Sequence, residues 1–130
     1  MRTIILPVVL ALATAACAGG PHAHTARLAA TADAGSTWGA IAQVGAREAN
    51  PLLSGSPAGI ASVLVVKLAM VEATASLEPS QQAIALRGLS SLWAGASFNN
   101  VAVLLGGPTP LALIAGLCGA LWAWHGSDEP

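Results

Sequence analysis

Apolar residues in this chain run in long blocks separated by clusters of helix breakers, and they do not alternate with polar ones. Alternation over four to eight residues would mark half-buried strands; uninterrupted blocks rich in Ala and Leu predict helices. The breakers are Asn50-Pro51 with Ser54-Gly55-Ser56-Pro57, then Glu78-Pro79, then Gly106-Gly107-Pro108-Thr109-Pro110. They divide the chain into four predicted helices over about 28–46, 57–76, 80–105 and 110–124. Pro57 suits the first turn of the second helix, with Ser56 as its N-cap, and Ser80 is the expected cap of the third. The connections are short, so consecutive helices should be antiparallel neighbours.

Composition decides what solvent these helices face. Hydrophobic residues make up 55% of the 130 residues and charged residues 8%; net charge is −1 and mean hydropathy +0.68. A soluble domain carries about 25% charged residues. The figures also exclude a disordered chain, a disulfide scaffold and a basic nucleic-acid binder. The expected fold is all-α, a small transmembrane bundle of four helices over 28–125, with the bilayer as its first partner. The first helix is the least apolar, since it holds Asp33, Ser36, Thr37 and Gln43. Export of the N-terminus would put the start of the first helix outside, which leaves Arg47 inside and Arg27 and Arg87 near the outer face, against the positive-inside rule. Three spans plus an interfacial first helix are therefore the alternative.

Residues 1–18 read as an export signal, with Arg2 ahead of an apolar core from Ile4 to Ala16 that is too short for a span. Thr14-Ala15-Ala16-Cys17 resembles a bacterial lipobox, which would make Cys17 the lipidated first residue of the mature chain. Cleavage after Ala18 is the competing reading, and retention of the segment as an anchor is a third. Each places the protein in a bacterial cell envelope, at the inner membrane. Residues 19–27 read as a solvated linker; its His22 and His24 are too few to imply a metal. Residues 126–130 read as an acidic tail. No cofactor is expected.

Lipid tails are as apolar as Leu, so small residues must let the helices approach one another. Gly35 and Gly39 form such a stripe in the first helix, Gly88, Ser91, Gly95 and Asn99 in the third, and Ala112, Gly116 and Ala120 in the fourth. They serve packing inside one bundle or homo-oligomerisation. Trp122 and Trp124 suit the headgroup level, while Trp38 and Trp93 read as interior packing residues.

The chemically informative residues are the ionisable ones at membrane depth: Asp33, Lys67 and Glu72. One charge at a helix centre costs about 2.5–3.5 kcal/mol. Counted from the first loop, Asp33 and Lys67 differ in depth by roughly 4–5 Å at 1.5 Å per residue. That offset is within reach of a lysine, so the two should pair; the alternative is that Lys67 snorkels to an interface and Asp33 is protonated. Glu72 lies nearer an interface and should reach headgroups alone.

The first hairpin carries Asp33-Ala34-Gly35-Ser36-Thr37 and then Glu48-Ala49-Asn50-Pro51. It resembles an uncharacterised family of small prokaryotic membrane proteins with D-x-x-[ST] in the first helix and E-x-N-P at the first turn. Members often carry a Lys in the second helix and an Asn late in the third. Glu48, Asn50 and Pro51 occupy the turn motif here, Lys67 the second-helix position, and Asn99 or Asn100 the third. The resemblance covers 28–105 and implies an architecture, not an activity.

No Ser/His/Asp set, H-E-x-x-H, G-x-S-x-G or phosphate loop is present, so an enzyme is not expected. The leading expectation is a membrane protein acting by helix packing, with itself or with a membrane partner. The alternative is a small transporter, channel subunit or holin-like permeabilising protein whose polar path includes Asp33, Lys67 and Glu72.

Overall fold

The structure, a computed structural model, describes residues 20–44 and 56–126. The segment expected to be a signal, with Cys17, the turn motif of Glu48, Asn50 and Pro51, and the residues from 127 on lie outside the described residues. Within them the fold is all-α. Helix α1 spans Pro21–Val44, α2 spans Pro57–Ala73 with a 3-10 turn Thr74–Ser76, α3 spans Pro79–Leu104, and α4 spans Thr109–Gly126.

Local chemistry explains most boundaries. Ser56 caps α2, its hydroxyl accepting the Gly59 amide at 3.1 Å, and Pro57 follows in the first turn. The end of α3 is a Schellman motif: Gly107 N donates to Ala102 O and Gly106 N to Val103 O, both at 2.9 Å. This closure needs a left-handed residue, and Gly106 supplies it with φ of 76°.

Two expected boundaries are corrected. Residues 21–27, expected as linker, are the first two turns of α1. Pro21 lacks the amide hydrogen that a first-turn residue would leave unused anyway, and the amides of Ala23 and His24 bond back to Gly20 O. Ser80 does not cap α3. Pro79 takes the first helical position, which makes Glu78 the cap, with no side-chain bond.

Each helix turns one seam inward at spacings of four and three. On α1 it is Ala26, Ala30, Asp33, Thr37 and Ala40; on α2 Ile60, Leu64, Lys67, Val71 and Thr74; on α3 Leu86, Ser90, Trp93, Ser97 and Asn100; on α4 Ala112, Gly116, Gly119 and Ala123. This average of 3.5 is the period that keeps helices in contact along their length in a bundle. Helix α1 packs against both α2 and α3, and α4 packs on the other side of α3. The chain runs up, down, up, down. Trp93 is buried as expected, at 4% exposure. Trp38 is not: it follows Thr37 by 100° around the helix and leaves the seam, so it is exposed. Cys118 is likewise exposed, on α4.

The small-residue stripes divide. The backbones of α3 and α4 meet at Gly95 and Gly116, where a Cβ on either glycine would stand 3.0 Å from the other's carbonyl oxygen. Gly39 faces Leu104, but a Cβ on Gly35 or Gly88 would meet nothing within 4 Å. Gly95→Leu should therefore force α3 and α4 apart and destabilise the fold by about 1–3 kcal/mol. Gly35→Ala should be neutral or stabilise by about 0.5–1 kcal/mol through helix propensity. Unfolding titrations in detergent micelles measure both.

Candidate functional site

The inner seams of α1 and α2 carry Asp33 and Lys67 near mid-length, and these meet an amide on the last turns of α3, that of Asn100. Lys67 Nζ donates to Asp33 Oδ2. The two side chains are 14% and 10% exposed, so the pair is held away from solvent. The other carboxylate oxygen, Oδ1, accepts from Asn100 Nδ2 on α3 at 3.4 Å. The same amide reaches Thr37 Oγ1 at 2.9 Å and Ser36 Oγ at 3.3 Å. Ser36 Oγ in turn donates to Asp33 O at 3.1 Å.

The spacing along α1 makes this cluster. Ser36 and Thr37 lie three and four residues after Asp33, on the same side of the helix, so all three present oxygens to one Asn100 amide. The indole of Trp93 forms another wall, with Lys67 Nζ 5.5 Å from the ring centroid. An aromatic face attracts an ammonium group, more strongly where water is excluded. Charge is balanced inside the cluster: one carboxylate, one ammonium, and neutral amide and hydroxyl groups around them. A cavity of about 20 Å³ adjoins it, lined by Asp33, Thr37, Ile60, Val63 and Lys67. That is room for about one water.

A second pair joins α1 to α2 nearer their other ends. Arg27 Nη2 donates to Glu72 Oε1 at 2.5 Å and Arg27 Nε to the same oxygen at 3.1 Å. Arg27 is buried to 8% side-chain exposure, whereas Glu72 keeps 58%. The expectation that Glu72 reaches headgroups alone is thereby corrected. In an antiparallel hairpin the partner of residue i lies near a constant sum of numbers. A step of six residues from Asp33 back to Arg27 matches a step of five from Lys67 on to Glu72.

The residues expected to matter thus separate into groups. Asp33, Lys67 and Asn100 come together with Thr37, and Glu72 joins Arg27. Asn99 points elsewhere, its Cβ beside Gly116 at the α3–α4 contact. Sequence reading passed over Arg27 as a partner, although its place about 1.5 turns before Asp33 was a usable signal. It also missed Trp93 as a wall of the charged cluster. Among the described residues no group of three or more His, Cys, Asp or Glu could hold a metal. His22 and His24, two apart on a helix, do not face each other.

Breaking the buried pair should cost more than removing it. Asp33→Asn or Lys67→Met leaves one buried charge unpaired and should destabilise by about 3–5 kcal/mol. The double variant should recover much of that loss, since no orphan charge remains. A double-mutant cycle on unfolding free energy, in micelles, reads the coupling; additive single effects would show that the two residues act independently.

Comparison of the chain with protein-family models, with curated proteins and with solved structures yields no match.

Proposed function

We propose that the chain is an integral membrane protein of the bacterial cell envelope that works by helix packing, with itself or with a membrane partner, and not by catalysis. The observation that carries this reading is the inverted distribution of polarity. Arg27 and Asp33 are buried, as are Ser90 and Ser97, while Leu92, Leu113, Leu117, Val66, Ile84 and Trp122 are each more than half exposed. Soluble proteins bury apolar side chains and rarely bury charges. The reverse suits a hydrocarbon solvent, in which a charge must turn inward and find a partner.

Helix lengths agree with this reading. At 1.5 Å per residue α1, α2 with its 3-10 turn, α3 and α4 are about 36, 30, 39 and 27 Å long, against about 30 Å of hydrocarbon. By length and composition one described helix, Pro57–Ser76, is apolar enough to cross, with mean hydropathy 1.7. Helix α1 carries Arg27 and Asp33, which lower its apolarity but point into the bundle. The chain then crosses four times, with α1 as the span that depends on its neighbours. The resemblance of the first hairpin to the uncharacterised membrane family is consistent with it. The charge-balanced Asp33 cluster with its one-water cavity favours a structural clamp over a conducting path.

The chain should resist extraction by carbonate and by high salt, and should do so equally when Cys17 is replaced by Ser, because the helices and not a lipid would hold it. Release of either form into the soluble fraction would end the integral-membrane reading. Labelled palmitate should enter the wild type and not the Cys17→Ser variant if the lipobox reading is right.

A further inference from the structure

The first turns of α1, the end of α2 and the start of α3 enclose a cavity of about 180 Å³. Arg27, Glu72, His22 and Gln82 line its polar side, and Val71 and Leu86 its apolar side. It is smaller than the roughly 300–1,000 Å³ of pockets that take drug-sized ligands, so it suits a small group. It lies at the same end of the bundle as Trp122 and Trp124, the last turns of α4. Such rings favour the headgroup level of a bilayer.

The cavity offers both signs of charge. Both contacts from Arg27 to Glu72 converge on Oε1. Glu72 Oε2 takes no hydrogen bond among the described residues, on a side chain that stays 58% exposed. A plain anion placed here would meet the Glu72 carboxylate with no cation of its own. A zwitterion complements both groups, its phosphate toward the Arg27 guanidinium and the Gln82 amide, its ammonium toward Glu72 Oε2. A primary ammonium has N–H donors for that oxygen, and a quaternary one has none. From this geometry we infer that the cavity binds the phosphoethanolamine headgroup of a bilayer phospholipid, an inference that rests on the membrane reading above.

The test is lipid retention by the full chain, purified in mild detergent and analysed by native mass spectrometry after exchange into mixed micelles of phosphatidylethanolamine, phosphatidylcholine and phosphatidylglycerol. The wild type should retain the ethanolamine lipid about tenfold over the other two, the scale of one charge-assisted hydrogen bond. Glu72→Gln should bring that ratio close to one. Glu78→Gln removes an exposed carboxylate at the same end, on the residue that precedes α3, which does not line the cavity, and it should keep the wild-type ratio. Thermal unfolding of each variant shows whether it is folded; if Glu72→Gln is not, the double variant Arg27→Gln/Glu72→Gln, which leaves neither charge unpaired, serves in its place, with the same loss of preference expected. Equal retention of the three lipids by the wild type overturns the inference, as does equal loss in Glu78→Gln. Soluble O-phosphoethanolamine, titrated by calorimetry, separates the two possible sources. If it binds and the lipid is not retained, the headgroup claim fails in favour of a free ligand. If carbonate releases the chain but the lipid preference holds, the site stands and the integral-membrane reading alone is lost. An integral chain without lipid preference means the reverse.

Discussion

A carboxylate and an ammonium group share the interior of this bundle, and neither can be there without the other. Asp33 on α1 and Lys67 on α2 are both largely enclosed. An unpaired charge in such a place carries a penalty of several kcal/mol. The hairpin is therefore held in one register. A slip of one turn would separate the pair by about 5.4 Å and also pull Arg27 away from Glu72. Two pairs at two depths fix the pitch of α2 against α1 better than an apolar seam could, since one Leu slides over another at little cost.

The third helix completes the pair. Asn100 gives its amide to the carboxylate side of the cluster and Trp93 its ring face to the ammonium side. For both to arrive, α3 must come close to α1, and the α1 seam is mostly Ala for that reason. The fourth helix is attached by different physics. Its contact with α3 is backbone against backbone at Gly95 and Gly116, where dispersion between closely fitted surfaces replaces ion pairing. One side of the bundle is thus specified by charge and the other by shape.

The outer surface follows from the same economy. With Asp33, Lys67 and Arg27 used inside, the large side chains left to face outward are mostly Leu, Val, Ile, Met, Phe and Trp. Hydrophobicity is spread almost evenly round each helix as a result, and no apolar stripe marks the inner face. The inner face is recognised instead by small and polar residues at spacings of four and three.

The sequence alone determined the number and type of elements, because long Ala- and Leu-rich blocks between Pro and Gly clusters admit few other readings. It also determined the Ser56 cap, the break at Gly106-Gly107 and the pairing of Asp33 with Lys67. These are local, or follow from counting residues across one short connection. Tertiary structure decided the rest. Pro21 starts α1 instead of ending a linker, and Arg27 thereby gains the extra turns that bring it to Glu72. Asn100, not Asn99, reaches Asp33, a choice of 100° around α3 that depends on how α3 is rotated against α1. Gly95 is a contact and Gly35 is not, though both sit in stripes of small residues. Spacing states which residues share a face. Which face meets which neighbour is set only when all four helices compete for the same interior.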